Sequence, residues 1–232
     1  MRLYLASTSP ARLATLRAAG IEPIVVPSGV DEDAAVREAE AVSGPLPAAD
    51  MVLLLARAKA EAALAQATGA GTHLDGLVLG GDSAFLLDGV IHGKPHTPER
   101  ARERWHAQRG RTGELYSGHW LIDATNVHEP RGIGATTVAR VTFADDISDA
   151  EIDAYIATGE PLAVAGAFTI DARGAAFIDR IEGDPSTVVG VSVPTVRQLA
   201  QRLGVEWPRL WSTSSEDWQG ARSFEVSDTE GY

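Results

Sequence analysis

The chain of 232 residues contains no cysteine. That excludes disulfides, thiolate metal centres and a cysteine nucleophile. Cations are also scarce, with 20 Lys and Arg against 32 Asp and Glu, giving a formal net charge of −12. Nucleic acids and anionic membranes attract basic faces, so neither is an expected partner. Long apolar runs are missing as well. The stretch Met51–Ala56 is among the longest, far below the roughly 20 residues a membrane span requires. No signal peptide is visible, and a soluble cytoplasmic protein is the expectation. Gly-x-Gly-x-x-Gly and the P-loop are absent too, so dinucleotide and Walker-type readings have no support. There is no internal repeat.

What is present is 44% hydrophobic residues, enough for one substantial core or two small lobes. Leu3–Leu5 reads as a buried strand that breaks into a helix, with Ser9 as N-cap and Pro10 in the first turn, ending at Gly20. Ile21–Val26 reads as a second strand, followed by Pro27-Ser28-Gly29 and the acidic cluster Asp31, Glu32, Asp33. A Gly/Pro loop at Ser43–Pro47 precedes an Ala/Leu-rich helix from Asp50 to about Ala67. Leu77–Leu79 predicts a buried strand that meets Gly80-Gly81-Asp82-Ser83 and resumes as Ala84–Leu87, with a hairpin turn at Asp88-Gly89. Thr97 and Pro98 open a helix to about Arg109. Glu114–Ile122 and Ala135–Phe143 read as two longer paired strands. Ser148 and Glu151 form a capping box for a helix to Thr158. Ala167–Ile170 with Ala175–Ile181 suggests a second short strand pair, and Pro194–Leu203 a last helix. The pattern favours an α/β fold with a mixed central sheet and flanking helices, in two lobes around a cleft. Residues 1–211 form the expected domain. From Ser212 the chain is polar and acidic and reads as a flexible tail, whose removal is expected to change little.

Two stretches carry candidate chemistry. A helix N-terminus presents unpaired N–H groups and a partial positive charge. Ser7, Thr8 and Ser9 add hydroxyls there, and Arg12 adds a permanent charge, so the opening stretch suits a phosphate. An ordinary capped helix accounts for the same residues. Asp82 sits in an apolar, strand-rich segment, where a carboxylate is costly unless paired or bound to metal. The two glycines before it admit another backbone or a ligand. Lys59 lies among apolar neighbours on its helix. Three cations (Arg12, Lys59, Lys94), the Ser7 and Ser9 hydroxyls and two carboxylates (Glu32, Asp82) suit a metal–triphosphate.

Taken in order, Leu-Ala-Ser-Thr-Ser-Pro-Ala-Arg at 5–12, Val30-Asp31-Glu32, Ala56-Arg57-Ala58-Lys59-Ala60, Gly80-Gly81-Asp82-Ser83 and Gly93-Lys94-Pro95 resemble the Maf family of nucleotide pyrophosphatases. Thr142-Phe143, Glu151–Tyr155, Ala165–Phe168 and Ile181-Glu182-Gly183 extend the likeness, which covers about residues 2–205. The resemblance implies a fold related to inosine-triphosphate pyrophosphatases. It implies hydrolysis of a nucleoside triphosphate to monophosphate and pyrophosphate with a divalent cation, Mg²⁺ or Mn²⁺. By the same resemblance the family's catalytic base falls on Asp82, and the sequence leaves open whether Asp82 acts as base, as ligand to the activating metal, or as both. Ser7, Ser9, Arg12, Lys59 and Lys94 bind phosphate, and Glu32 joins Asp82 as a metal ligand. Ala11, Ser83 and Asp171 fall where substrate specificity is set. Ala11 replaces an Arg or larger residue, Ala163-Val164 replaces a frequent Asp-Lys, and Asp171 replaces the Gln of uridine- and thymidine-triphosphate enzymes. These departures bear on base preference more than on the phosphate site. The expected partner is the nucleotide, and a homodimer stays open. The rival reading is a nucleotide-binding regulator of septum formation without turnover.

Overall fold

The computed structural model describes residues 1–126 and 128–212. Beyond Ser212 the expected acidic tail, with Trp218 and Phe224, lies outside the described residues. A seven-stranded mixed sheet runs through the molecule in the order β2-β1-β3-β5-β6-β7, with β4 paired to β3. Its strands are β1 (Arg2–Leu5), β2 (Ile24–Val25), β3 (Gly76–Leu87), β4 (Val90–His92), β5 (Thr112–Asp123), β6 (Arg131–Phe143) and β7 (Ile178–Glu182). The helices are α1 (Pro10–Ala18), α2 (Glu32–Ser43), α3 (Ala48–Gly69), α4 (Pro98–Gln108), α5 (Asp149–Ala157), α6 (Pro185–Val189) and α7 (Val193–Arg202). None is long and apolar enough to cross a membrane among the described residues.

β3, β5 and β6 are long enough to serve two lobes. At one end of the sheet, Leu3, Leu5, Leu77, Leu79 and Leu121 pack with Leu16 of α1 and Val196 and Leu199 of α7. On the opposite face there, Tyr4, Val78 and Ile122 pack on Ala60, Ala63 and Ala67 of α3. At the other end, Phe85, Leu115 and Phe143 join Trp105 of α4, Ile152 and Tyr155 of α5, and Phe168. The rings there meet mostly edge to face, with Phe143 and Phe168 centroids 5.0 Å apart, an arrangement that adds to their apolar burial.

Most expected elements form. Ser9 caps α1 by accepting from the Arg12 N–H, and Ser148 and Glu151 complete the capping box of α5. β5 and β6 pair antiparallel over their whole length. Four readings change. The second strand shrinks to Ile24–Val25, an exposed sheet edge. β3 does not break at Gly80–Ser83 but pairs with β5 straight through it. The acidic cluster opens α2, capped by Asp31, and α2 buries no residue. The expected strand pair at 167–170 and 175–181 is replaced by 3-10 turns at Ala165–Ala167 and Arg173–Phe177, with only β7 as strand. The cause is Glu160. Its carboxylate accepts from Tyr155 Oη at 3.0 Å, Thr169 Oγ1 at 2.7 Å and the Gly174 N–H at 3.0 Å, so this segment wraps around an acid instead of pairing with itself.

Candidate active site

The site is a gap in the sheet. β1 pairs with β3 only as far as Leu5 opposite Leu79, and the Ala6 N–H to Leu79 O bond is the last rung. β4 joins β3 only from Phe85 onward. Between them, residues 80–84 of β3 have no neighbouring strand on that edge among the described residues. Ser7–Ser9 and the start of α1 line one bank. Gly93 and Lys94 leave β4 at the other, held by the Arg104 guanidinium donating to Gly93 O. Successive side chains alternate across the sheet, so Asp82 points to one face, and Gly81 and Ser83 to the other.

On the Asp82 face, α3 lies directly on the sheet because two glycines let it. A Cβ on Gly80 would stand 2.0 Å from Ala56 O, and one on Gly118 2.2 Å from Val52 O. No larger residue fits at either position. This contact sets Lys59 against Asp82, with Nζ donating to Oδ1 at 2.7 Å. The same ammonium is 2.8 Å from Glu32 Oε1. The Lys59 and Asp82 side chains are 9% and 11% exposed, while that of Glu32 is 51% exposed. The pair is therefore buried at its inner end and open to solvent at Glu32.

Burial pushes the Asp82 carboxyl above its ordinary range, against the pull of Lys59 and Arg12. A buried acid raised in this way is a better proton acceptor than a surface one.

On the opposite face, Arg12 is buried and tied at three points. Nε donates to Gly190 O at 2.8 Å, Nη1 to Ser7 Oγ at 3.1 Å and Nη2 to Ser83 Oγ at 3.0 Å. A guanidinium has five N–H donors, so each terminal nitrogen keeps one N–H for a ligand. Burial draws the Arg12 pKa down, offset by Asp82 and Glu32. Ser83 Oγ also bonds Ser117 Oγ at 2.9 Å, and Ser117 Oγ donates to Thr187 O at 2.8 Å. Its hydroxyl therefore belongs to the Arg12 network.

Deeper on this face, His119 is fully buried, and its Nε2 accepts the Ser192 N–H at 2.8 Å. Burial, reinforced by the Arg12 charge, pushes its pKa down to about 4. The unfolded chain protonates this ring near 6.5, and the folded chain only near 4. Its contribution to stability is therefore complete above pH 6.5 and lost as pH falls toward 4, up to about 3 kcal/mol. Urea unfolding at pH 7 and pH 4.5 checks this. The drop in stability is expected to be about 2 kcal/mol smaller in His119→Gln than in wild type, and equal drops would contradict it.

The structure brings together Ser7, Ser9, Arg12, Glu32, Lys59, Asp82 and Ser83. Ala11 lies half-buried in the first turn of α1, beside Arg12. Lys94 is exposed and makes no ion pair among the described residues. Asp171 is exposed in the second lobe, before the Arg173–Phe177 turn, and makes no hydrogen bond or ion pair with the cluster among the described residues. The neighbouring Arg173 reaches Glu160, at 3.4 Å. Sequence reading missed Ser117, His119, Thr187 and Gly190. Only Gly190 carried a local signal, as the glycine that ends a short helix capped by Asp184 and Pro185.

Two carboxylates sharing one ammonium do not make a closed metal cage, and no group of three or more potential ligands occurs among the described residues. The donor set does fit a hard divalent ion that takes one or two carboxylates and completes its shell with phosphate oxygens and water.

The family profile described as "Maf-like protein" matches residues 2–203. A protein of Leifsonia xyli subsp. xyli named "Nucleoside triphosphate pyrophosphatase" is 66% identical over 212 residues, covering 91% of this chain and 97% of its own. Proteins of the same name from Corynebacterium aurimucosum and Corynebacterium diphtheriae are 49% and 47% identical, covering 91% and 92% of this chain and 99% and 100% of theirs. With a profile match over nearly the whole described chain and relatives aligned end to end, the chain belongs to the Maf family.

Proposed function

We propose that this protein hydrolyses a nucleoside triphosphate to the monophosphate and pyrophosphate with the help of a divalent cation. The observation that carries this reading is the buried Asp82–Lys59 pair at an open sheet edge, with the half-satisfied Arg12 guanidinium on the other side of the same strand. Asp82 accepts the proton of a water that attacks the α-phosphorus. The bond to the bridging oxygen breaks, and that oxygen leaves on pyrophosphate. Arg12 grips phosphoryl oxygens with its two spare N–H groups, and Lys59 and Lys94 offset the charge that builds on the leaving group. Ser7, Ser9 and the α1 N-terminus complete the cradle. A divalent cation held by Asp82, Glu32 and the phosphates would polarise the phosphoryl group and lower the pKa of bound water. The cellular effect would be removal of surplus or noncanonical nucleotides. The test is pyrophosphate release with Mg²⁺ or Mn²⁺ across a nucleotide panel. Tight binding with no release would favour the regulatory reading instead.

Asp171, which stands where uridine- and thymidine-triphosphate enzymes carry Gln, helps set base preference and moves it away from uracil and thymine. A Gln amide donates and accepts, matching a uracil edge with an N–H between two carbonyls. An ionised carboxylate only accepts, so it suits adjacent donors such as guanine N1–H and the N2 amino group, or the cationic ring of 7-methylguanine. A mismatched hydrogen bond to a charged group is worth about 1.5–3 kcal/mol, roughly ten- to a hundredfold in substrate order. Asp171→Gln is expected to shift relative kcat/KM toward uridine and thymidine triphosphates and away from guanosine and 7-methylguanosine triphosphates. Unchanged ratios among the four would remove Asp171 from base reading.

A further inference from the structure

We propose that His119 is a positioning residue for the phosphate cradle, acting on Arg12 through the turn at Gly190–Ser192. The proposal rests on the phosphate-binding role given to Arg12 above. β5 grips α6 and the turn after it at two places. Ser117 donates to Thr187 O within the helix at 2.8 Å. His119, two residues along the same face, accepts the Ser192 N–H at 2.8 Å just beyond it. Between those anchors lies Gly190, in a left-handed conformation at φ +113°. Its carbonyl takes the Arg12 Nε–H at 2.8 Å. The turn is packed hard on the guanidinium. A Cβ on Gly190 would stand 3.2 Å from Ser83 Oγ and 3.4 Å from Arg12 Nε.

Packing alone does not call for a histidine here. The position is fully buried, a site a leucine would fill without the desolvation cost of an imidazole. What a leucine lacks is an acceptor. Without one the Ser192 N–H, buried at the start of α7, is left unsatisfied, which a folded chain relieves by moving the turn. Moving the turn moves the Gly190 carbonyl, and a guanidinium fixed at two points instead of three no longer holds its plane. The spare N–H groups on Nη1 and Nη2 then lose their aim, and bidentate capture of a phosphate depends on that aim.

The acceptor atom is Nε2, the outer ring nitrogen. A glutamine places its amide oxygen near that position, whereas an asparagine reaches only as far as Nδ1. This gives a test with full-length protein. Binding of inorganic pyrophosphate and of a non-hydrolysable imido triphosphate with Mg²⁺ would be measured by calorimetry, with Tm recorded for each variant. His119→Leu is expected to weaken binding about fivefold or more, at roughly 1 kcal/mol for an unmade buried hydrogen bond. His119→Gln should recover most of the affinity and His119→Asn should not. In an Arg12→Ala background, His119→Leu should weaken binding by less than twofold. Wild-type affinity in His119→Leu, or the same loss with and without Arg12, would overturn the proposal. If His119→Leu does not fold, the Gln and Asn variants decide: equal affinities in the two would equally overturn it. Wild-type affinity in Arg12→Ala is a separate outcome that removes the cradle itself, and the positioning role with it.

Discussion

Asp82→Asn is expected to lower pyrophosphate release by about 10²–10⁴-fold, the range that a positioned general base contributes. The amide keeps the shape of the side chain and its contact with Lys59, but it neither takes a proton from water at neutral pH nor binds a hard cation as a carboxylate does. Stability should change little. Burial already raises the pKa of the wild-type carboxyl, so its charged form is costly in the fold, and Lys59 keeps Glu32 as a partner at 2.8 Å. A Tm within about 4 °C of wild type is the expectation for a change near 1 kcal/mol. Release within about tenfold of wild type, or ~1.4 kcal/mol of barrier, would remove Asp82 from the chemistry.

Arg12→Ala is expected to lower kcat/KM for triphosphates by about a hundredfold or more, or ~2.7 kcal/mol, from the loss of two charge-assisted hydrogen bonds to phosphate. The protein has few cations to spare, with a net charge of −12, so a polyanion depends on the ones that converge. Arg12→Lys should recover only part of the loss. A single ammonium cannot meet Gly190 O, Ser7 Oγ and Ser83 Oγ together and still offer a fork to the substrate. Lys94→Ala should lower kcat and kcat/KM together and leave Tm unchanged, because Lys94 acts on charge that builds on the leaving group, is exposed and makes no ion pair among the described residues. Steady-state kinetics on the three variants checks this, and kcat/KM within threefold of wild type for Arg12→Ala would place the cradle elsewhere.

Local chemistry made much of the fold legible. Ser9-Pro10, Thr97-Pro98 and Ser148–Glu151 begin α1, α4 and α5 as their side chains predict. Asp88-Gly89 turns β3 into β4. What local pattern could not show was decided by tertiary contact. α2 buries nothing, so no apolar stripe betrays it. Gly80-Gly81 looks like a strand break in one dimension. In three dimensions Gly80 is the seat of α3, and Gly81 lies 3.3 Å from Arg12 Nε for an added Cβ. The segment after α5 follows Glu160, an acid whose hydrogen-bond partners lie up to 14 residues away. The site shows the same division. Ser7, Arg12, Glu32, Lys59 and Asp82 stood out because charged and polar residues in apolar surroundings are costly. Ser117, Thr187 and His119 did not, because each takes its role only through a partner distant in sequence, and Gly190 showed itself only as the end of a short helix.

In the proposed reaction, water attacks the α-phosphorus. Hydrolysis in ¹⁸O-labelled water, with the products separated and their label read by mass spectrometry, tests it most directly. The expected products are nucleoside monophosphate carrying one ¹⁸O and unlabelled pyrophosphate, in equal amounts, with wild-type protein and Mg²⁺ or Mn²⁺. Label in the pyrophosphate, or products that are nucleoside diphosphate and orthophosphate, would contradict it.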